Sequence, residues 1–127
     1  MGTIGIAGAG AWGTALANMA GLGGHDVVLW MRSPAQARTL AATRINERFL
    51  PGIPLHDRIR PTSDLHDLTS AGMALLVTPA QTTREMSAAL SAVLPSETPL
   101  VLCAKGIERE TQAFLSDVAE AVRPGSP

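Results

Sequence analysis

Three glycines near the start of the chain have the spacing of a phosphate-binding loop. Gly8, Gly10 and Gly13 fit the pattern G-x-G-x-x-G, and they follow an apolar run at residues 4–7 that suits a buried strand. Residues 15–19 after them suit a helix. In such a loop the first glycine makes the tight turn, the second leaves room for a pyrophosphate, and the third lets the helix pack closely on the strand. The pattern in this context predicts a dinucleotide site, and a purely structural glycine turn is the alternative.

The start of the predicted helix supplies the groups that would hold the phosphates. The first N–H groups of a helix are free to bind an anion, and the helix N-terminus carries a partial positive charge. Trp12 is unusual in such a loop: either it packs under the loop or its backbone N–H faces the pyrophosphate. The predicted phosphate-binding residues are Gly8, Ala9, Gly10, Ala11, Trp12 and Gly13.

The end of the second apolar run bears on which dinucleotide is bound. An acidic residue about 20 positions after the glycines would bind the ribose 2′-hydroxyl of NAD(H), but the eighteenth residue after Gly13 is Met31, followed by Arg32 and Ser33. Arg32 could stack on the adenine and pair with a 2′-phosphate, and the Ser33 hydroxyl could donate to the same group. This favours NADP(H), leaves NAD(H) open and makes FAD less favoured. Alternatively, Arg32 is an ordinary solvated arginine beyond a strand.

Two later stretches follow buried strands directly, at the sheet edge where ligands bind in open α/β folds. Thr78 and Pro79 could line the nicotinamide side; the alternative is a proline that only stops a strand. Lys105 precedes Gly106 and would project its ammonium over the crevice, where it could hold an anionic substrate. A solvated bystander is the competing interpretation of this lysine.

The remaining reactive side chains carry weaker signals. Cys103 lies within an apolar strand with no histidine near it in sequence, which favours a buried small apolar residue over a nucleophile. His25, His56 and His66 lack metal-ligand spacing, so we expect surface histidines and no metal site.

Composition excludes several classes of function. The 127 residues suit one domain, and with 46% apolar and 17% charged residues the chain is neither disordered nor a coiled coil. A net charge of −1 with scattered basic residues argues against nucleic acid and anionic membrane as partners, and no apolar run is long enough for a membrane span. The single cysteine and the lack of a signal peptide predict a reducing, cytoplasmic location.

Strands and helices alternate along the predicted elements. We expect strands at 4–7, 27–30, 73–77 and 100–103, and at best a short strand at 59–62. A first helix is predicted after the glycine loop and a second from the Ser33 cap through Ala42, followed by a brief helical turn at 64–68. A third helix is predicted over Met86, Leu90 and Leu94, and a last one over Phe114, Val118 and Val122. Residues 46–54 should form a loop resting on Phe49 and Leu50. This order predicts an α/β fold of Rossmann type over residues 1–127, a doubly wound and mainly parallel sheet with helices on both faces.

Four motifs in order resemble one known family. They are residues 8–15 (Gly-Ala-Gly-Ala-Trp-Gly-Thr-Ala), Asn46 with 50–52 (Leu-Pro-Gly), 77–81 (Val-Thr-Pro-Ala-Gln) and 103–108 (Cys-Ala-Lys-Gly-Ile-Glu). Together they resemble the bacterial NAD(P)-dependent sn-glycerol-3-phosphate dehydrogenases. The resemblance implies reversible hydride transfer between NAD(P)H and dihydroxyacetone phosphate, giving sn-glycerol 3-phosphate for phospholipid synthesis.

The resemblance also implies roles for particular residues. Ala11, Trp12 and Arg32 would contact the cofactor, and Phe49 would lie near its adenosine side. Lys105, the implied catalytic residue, would touch both the nicotinamide region and the substrate and would polarise or orient the carbonyl, with Gly106 beside it at the substrate.

Two departures from the family qualify these expectations. Ala11 stands where many relatives carry Ser, so a backbone contact is retained and a hydroxyl contact is lost. The family's helical substrate domain, with its phosphate-binding groups and second lysine, is absent from these 127 residues. We therefore expect this chain to bind NADPH weakly and not to turn over. The sequence leaves open whether the protein forms a homodimer. The alternatives are a cofactor-sensing module and another NADP-dependent reductase, of the 3-hydroxy acid or ketopantoate type.

Overall fold

Short, mainly apolar runs of the sequence form parallel strands, and the segments between them form helices. The computed structural model describes residues 2–103 and 119–120. Its strands are β1 (Thr3–Ala7), β2 (Asp26–Trp30), β3 (Ile59–Thr62), β4 (Met73–Leu76) and β5 (Leu100–Leu102). The helices within 2–103 are α1 (Ala11–Leu22), α2 (Pro34–Thr43) and α3 (Thr83–Ser91), with 3₁₀ turns at Leu65–Leu68 and Ala80–Thr82.

The sheet has the strand order β3-β2-β1-β4-β5, and every pair of neighbouring strands is parallel. From β1 the chain first builds outward through β2 and β3, and then returns to the other side of β1 with β4 and β5. The carboxyl ends of β1 and β4 are therefore the point at which the winding direction reverses, where open α/β sheets bind their ligands. The predicted doubly wound fold is confirmed.

Alternate side chains of the strands bury two separate apolar layers. Ile6 and Leu29 lie on one face, together with Leu40 of α2, and each is at most 2% exposed. The neighbouring residues Ala7 and Trp30 lie on the other face, which α3 and the turn at Leu65–Leu68 cover. Because both faces are buried, the central strands β1, β2 and β4 read as continuous apolar runs rather than as alternating patterns.

The predicted element boundaries differ from the structure in a few places. β4 ends at Leu76, one residue earlier than expected, although the N–H of Val77 still donates to the Ala7 carbonyl at 2.8 Å. α3 ends at Ser91 rather than at Leu94, yet Leu94 is buried and its N–H donates to Leu90 O at 2.8 Å. The buried side chains were therefore predicted correctly where the helix length was not. The predicted helix over 114–122 cannot be judged, because all but two of its residues lie outside the described part of the chain.

Ser33 caps α2 as its sequence position predicts. Its Oγ accepts a hydrogen bond from the N–H of Gln36 at 3.1 Å, and Pro34 is the first helical residue. Within the ranges 2–103 and 119–120, no helix has the length and apolar character needed to cross a membrane. In the same ranges, no group of three or more His, Cys, Asp or Glu side chains is arranged to hold a metal ion.

Candidate functional site

A cleft of about 700 Å³ opens at the carboxyl ends of β1 and β4. Backbone hydrogen bonds beyond the strand ends build this edge, with Gly8 N–H donating to Trp30 O at 2.9 Å and Cys103 N–H donating to Leu76 O at 3.0 Å. The cleft is lined by Gly8, Ala9, Gly10, Ala11, Trp12, Gly13, Trp30, Met31, Arg32, Gln36, Phe49, Val77, Thr78, Pro79, Thr82, Glu85 and Cys103. Most residues of the predicted cofactor site are thus brought together around one cavity.

Two of the three motif glycines are required by the backbone itself. Gly8 has φ +123°, and a Cβ on it would lie 2.7 Å from the carbonyl oxygen of Val77 on the neighbouring strand. A Cβ on Gly13 would overlap the carbonyl oxygen of Gly8, so α1 can approach β1 this closely only with glycine there. These contacts match the tight turn and the close packing that the spacing predicts for the first and third glycines.

The second glycine has a different environment. Gly10 adopts φ −73° and ψ −170°, which any residue can adopt, and a Cβ on it would meet no atom within 4 Å. Gly10 is also one of the residues that line the cleft. Gly10 is therefore not needed for the fold, and its missing side chain leaves room for something that approaches the backbone from the cleft.

The start of α1 lies at this open space. The helical ladder begins with Thr14 N–H donating to Gly10 O at 3.0 Å, so the N–H groups of the three residues before Thr14 precede the first intrahelical bond. No acidic residue stands in the first turn of α1 to compete with an anion. Free backbone donors at the positive end of a helix are suited to hold phosphate oxygens.

A buried asparagine outside the cleft lining supports the glycine loop. Asn46 is 3% exposed, and its Nδ2 donates to Ala9 O at 2.9 Å and to Thr14 Oγ1 at 3.0 Å. The sequence marked Asn46 only as part of a family motif and predicted that the loop at residues 46–54 rests on Phe49 and Leu50. That prediction is wrong, since Phe49 is 38% exposed and Leu50 is only half-buried, whereas Asn46 is buried.

Arg32 lies at the lip of the cleft, one residue beyond the buried Met31. One guanidinium nitrogen lies 3.5 Å from Glu85 Oε1 across the cleft, and the other lies 3.7 Å from the sulfur of Met86. Both partners of the ion pair are about two-thirds exposed, so the pair contributes little to stability. The guanidinium is accordingly available to an anion of higher charge. Ser33 does not line this cleft; it borders a smaller recess of about 360 Å³ beside α2.

The other predicted cofactor contacts, Trp12, Phe49, Thr78 and Pro79, line different parts of the cleft wall. Trp12 is 58% exposed, which excludes the interpretation that its ring packs beneath the glycine loop. Phe49 lines the cleft from the loop after α2, and the guanidinium carbon of Arg48 lies 5.1 Å from the centre of its ring. Thr78 and Pro79 line the wall formed after β4. The Thr78 hydroxyl is buried without a hydrogen-bond partner inside the described chain.

Cys103 follows β5 and is half-buried at the cleft. Burial raises the pKa of its thiol, so the thiol stays protonated near neutral pH and is a poor nucleophile. Lys105 and Gly106, the predicted catalytic and substrate-binding residues, lie outside the described residues.

Comparison with known proteins places this geometry in one family. The family model for the N-terminus of NAD-dependent glycerol-3-phosphate dehydrogenase matches residues 3–127. Glycerol-3-phosphate dehydrogenase [NAD(P)+] of Azorhizobium caulinodans is 52% identical over 123 residues, which cover 97% of this chain and 38% of that protein. The chain therefore spans well under half the length of this curated relative.

Solved structures agree on the fold. A crystal structure of glycerol-3-phosphate dehydrogenase from Coxiella burnetii superimposes with a TM-score of 0.92 at 26% identity, covering 98% of this chain and 38% of that one. A ketopantoate reductase from Ralstonia eutropha gives a TM-score of 0.75 at 20% identity, covering 94% and 38%, and shares the fold alone. The chain, with its glycine loop at the reversal point of a parallel sheet, belongs to the NAD-dependent glycerol-3-phosphate dehydrogenase family and matches its N-terminal domain.

Proposed function

We propose that this chain is the cofactor-binding part of an enzyme that interconverts dihydroxyacetone phosphate and sn-glycerol 3-phosphate. The observation that carries the proposal is the glycine loop, whose open face at Gly10 meets the free end of α1 in a chain that matches the family over residues 3–127. A bound nicotinamide cofactor supplies or accepts the hydride in this chemistry. The residues of this chain bind and orient the cofactor.

The cleft fits an extended anionic ligand such as a dinucleotide. Its floor at Gly10 admits close approach to the backbone, and the first turn of α1 offers donors for the phosphates. We propose backbone contacts from the glycine loop, including Ala11 and Trp12. The side chains of Phe49, Thr78 and Pro79, which border the same cavity, complete the proposed contacts.

We propose that the chain prefers NADP(H) to NAD(H). The buried Met31 stands where an acidic residue would bind the ribose 2′-hydroxyl, and the exposed Arg32 follows it at the lip of the cleft. A guanidinium can pair with two oxygens of a 2′-phosphate at once, and such a charge-assisted bond is stronger than the exposed contact to Glu85. We propose the Ser33 hydroxyl, at the cap of α2 just outside the cleft lining, as a second donor to the same phosphate.

Replacement of Arg32 tests the cofactor preference. We expect Arg32→Ala to weaken NADPH by roughly tenfold or more, the value of one charge-assisted contact, and to change NADH by less than about twofold. Arg38→Ala removes the same charge from the exposed face of α2 outside the cleft and serves as the control. Isothermal titration of both variants gives the four dissociation constants. Equal losses for NADPH and NADH in Arg32→Ala would refute the preference.

The reaction itself is proposed from the family. We propose Lys105 as the catalytic residue that orients the substrate carbonyl, with Gly106 beside it, and a further helical domain as the source of the substrate-phosphate site. On this proposal the 127-residue chain binds the cofactor but does not turn over. Oxidation of NADPH by dihydroxyacetone phosphate, followed at 340 nm with this chain alone, would refute that division of labour.

Assembly and location are part of the same proposal. The side chains of Trp12, Met19 and Leu22 on α1 are between 58% and 77% exposed, which supports a covering partner on this helix. We propose a homodimer of the complete enzyme in the cytoplasm. Light scattering of a complete chain, with and without Leu22→Glu, tests the assembly, and a monomer at all concentrations would refute it.

A further inference from the structure

Asn46 is a buried polar side chain from a loop, and it contacts the glycine loop directly. It comes just after the isolated bridge between Ile45 and Pro54, which closes the base of the loop after α2. Its Nδ2 lies 2.9 Å from the carbonyl oxygen of Ala9 and 3.0 Å from the hydroxyl oxygen of Thr14, which is fully buried. These contacts join residues 37 and 32 positions apart in sequence.

The chemistry of these partners fixes the orientation of the amide. A carbonyl oxygen can only accept, so the NH₂ group of Asn46 and not its oxygen faces Ala9. The Thr14 hydroxyl accepts from the same NH₂ group and lies 3.5 Å from the Ala9 carbonyl. The carbonyl of Ala9 precedes α1 and is buried, so without Asn46 it would lose its close donor.

The backbone of Asn46 forms the turn that carries Phe49. Its carbonyl oxygen accepts from the N–H of Phe49 at 3.2 Å and from the N–H of Leu50 at 2.7 Å. These bonds form the turn from which Phe49 reaches the cleft wall. One residue thus connects the peptide that leads into the first turn of α1 with the loop that carries Phe49.

We infer that Asn46 is a positioning residue for the pyrophosphate-binding loop. By holding the Ala9 carbonyl, it fixes the peptide plane that sets where the N–H groups of Gly10 and the first turn of α1 point. Preorganised donors bind an anion without an ordering cost, which a loop without this support would have to pay on binding. The inference rests on the proposed function, since it assumes that the loop binds the phosphates of a dinucleotide.

The test compares ligands that carry the pyrophosphate with a ligand that carries only the 2′-phosphate. We expect Asn46→Ala to weaken ADP and NADP⁺ by about tenfold or more and to leave 2′-AMP, which has no 5′-phosphate, within about twofold of the wild type. Binding is followed by ¹H–¹⁵N spectra of the full 127-residue chain. The amide signals of Gly10 and Trp12 should also shift without ligand in this variant.

Asn18→Ala is the matched control. Asn18 also joins α1 to residues near the end of the loop after α2. The N–H of His56 donates to Asn18 Oδ1 at 2.8 Å, and Asn18 Nδ2 donates to Pro54 O at 3.4 Å. It lies outside the cleft lining, so its loss should lower stability without changing ADP affinity. Thr14→Val, of nearly the same shape, provides a second variant if Asn46→Ala does not fold, and should weaken ADP several-fold.

The outcomes distinguish the inference from the proposed function. Wild-type ADP affinity in both Asn46→Ala and Thr14→Val, or equal losses of ADP and 2′-AMP, would overturn the positioning role alone. If the wild-type chain binds neither ADP, NADP⁺ nor NADH, the proposed function is overturned and the inference with it. If ADP binds but 2′-AMP does not, the NADP preference is overturned, and the ADP result still decides the role of Asn46.

Discussion

Alanine substitutions at Gly10 and Gly13 should have different effects: the first should weaken dinucleotide binding, and the second should lower stability. In Gly10→Ala the new Cβ meets no atom within 4 Å, and φ −73° is an ordinary value for alanine. Replacing glycine stabilises by about 0.4–1 kcal/mol through the unfolded chain, whereas alanine is a poorer helix N-cap than glycine by a similar amount. These effects oppose each other, so the free energy of unfolding should change by less than about 1 kcal/mol.

Dinucleotide binding should respond much more strongly to the same change. The added methyl group projects into the cleft at the start of α1, where a phosphate would approach the backbone. Losing one charged hydrogen bond there costs about 1.5–3 kcal/mol, which corresponds to a 10- to 150-fold weaker dissociation constant. Gly13→Ala is the contrasting variant, because its Cβ overlaps the backbone oxygen of Gly8, which cannot rotate away. Such overpacking typically costs about 1–3 kcal/mol of stability.

Two measurements on the same samples test this contrast. Thermal unfolding followed by circular dichroism gives stability, and isothermal titration with NADP⁺ gives affinity. We expect Gly10→Ala to melt near the wild-type temperature and bind poorly, and Gly13→Ala to melt at a clearly lower temperature. Wild-type affinity in Gly10→Ala would refute the interpretation of the open space as the phosphate approach, and equal melting temperatures for all three proteins would refute the close packing at Gly13.

Two further predictions concern titratable side chains. Cys103 is the single cysteine of the chain, lines the cleft, and has its thiol pKa raised by burial. Iodoacetamide at pH 7.5 should therefore modify Cys103 more slowly than free cysteine, and saturating NADP⁺ should slow the reaction further. A reaction rate unaffected by NADP⁺ would contradict the place of Cys103 in the binding cleft. The hydrogen bond from His66 N–H lowers the pKa of the exposed Asp64 carboxyl below 3.8, so its stabilisation is present above pH 3.8 and is lost as the pH falls through the lowered value. Urea unfolding at pH 5 should therefore show a small deficit for Asp64→Asn that shrinks as the pH falls below 4, and a deficit that grows between pH 5 and pH 3 would contradict the direction of the shift.

Local features were predictable because their physical causes lie within a few residues. The apolar runs identify the strands, the Ser33–Pro34 pair identifies the start of α2, and the glycine spacing identifies the turn after β1. The cleft-lining positions Arg32, Thr78 and Pro79 were also predicted, because the carboxyl ends of parallel strands gather at one edge, whereas Phe49 was predicted only from the family resemblance. The end of α3 was predicted less well, since Leu94 continues the apolar stripe beyond the last helical residue.

Contacts between distant residues could not be read from the sequence. Nothing local to Asn46 shows that its amide reaches Ala9, because that contact depends on how the loop after α2 folds back onto α1. The pairing of Arg32 with Glu85 likewise requires β4 to lie beside β1, so that α3 faces the end of β2 across the cleft. A loop asparagine in sequence is most simply a turn residue, and only its burial distinguishes it.

By itself, the sequence determined the glycine turn, the parallel α/β fold and the absence of an acidic residue after β2, because these follow from backbone sterics, apolar periodicity and residue identity. The tertiary structure decided which of these residues share the cleft, which side chains face away from it and which buried donor holds the loop. It did so because strand order and helix packing set distances between residues that are 32 to 53 positions apart, and hydrogen bonds form only within about 3.5 Å.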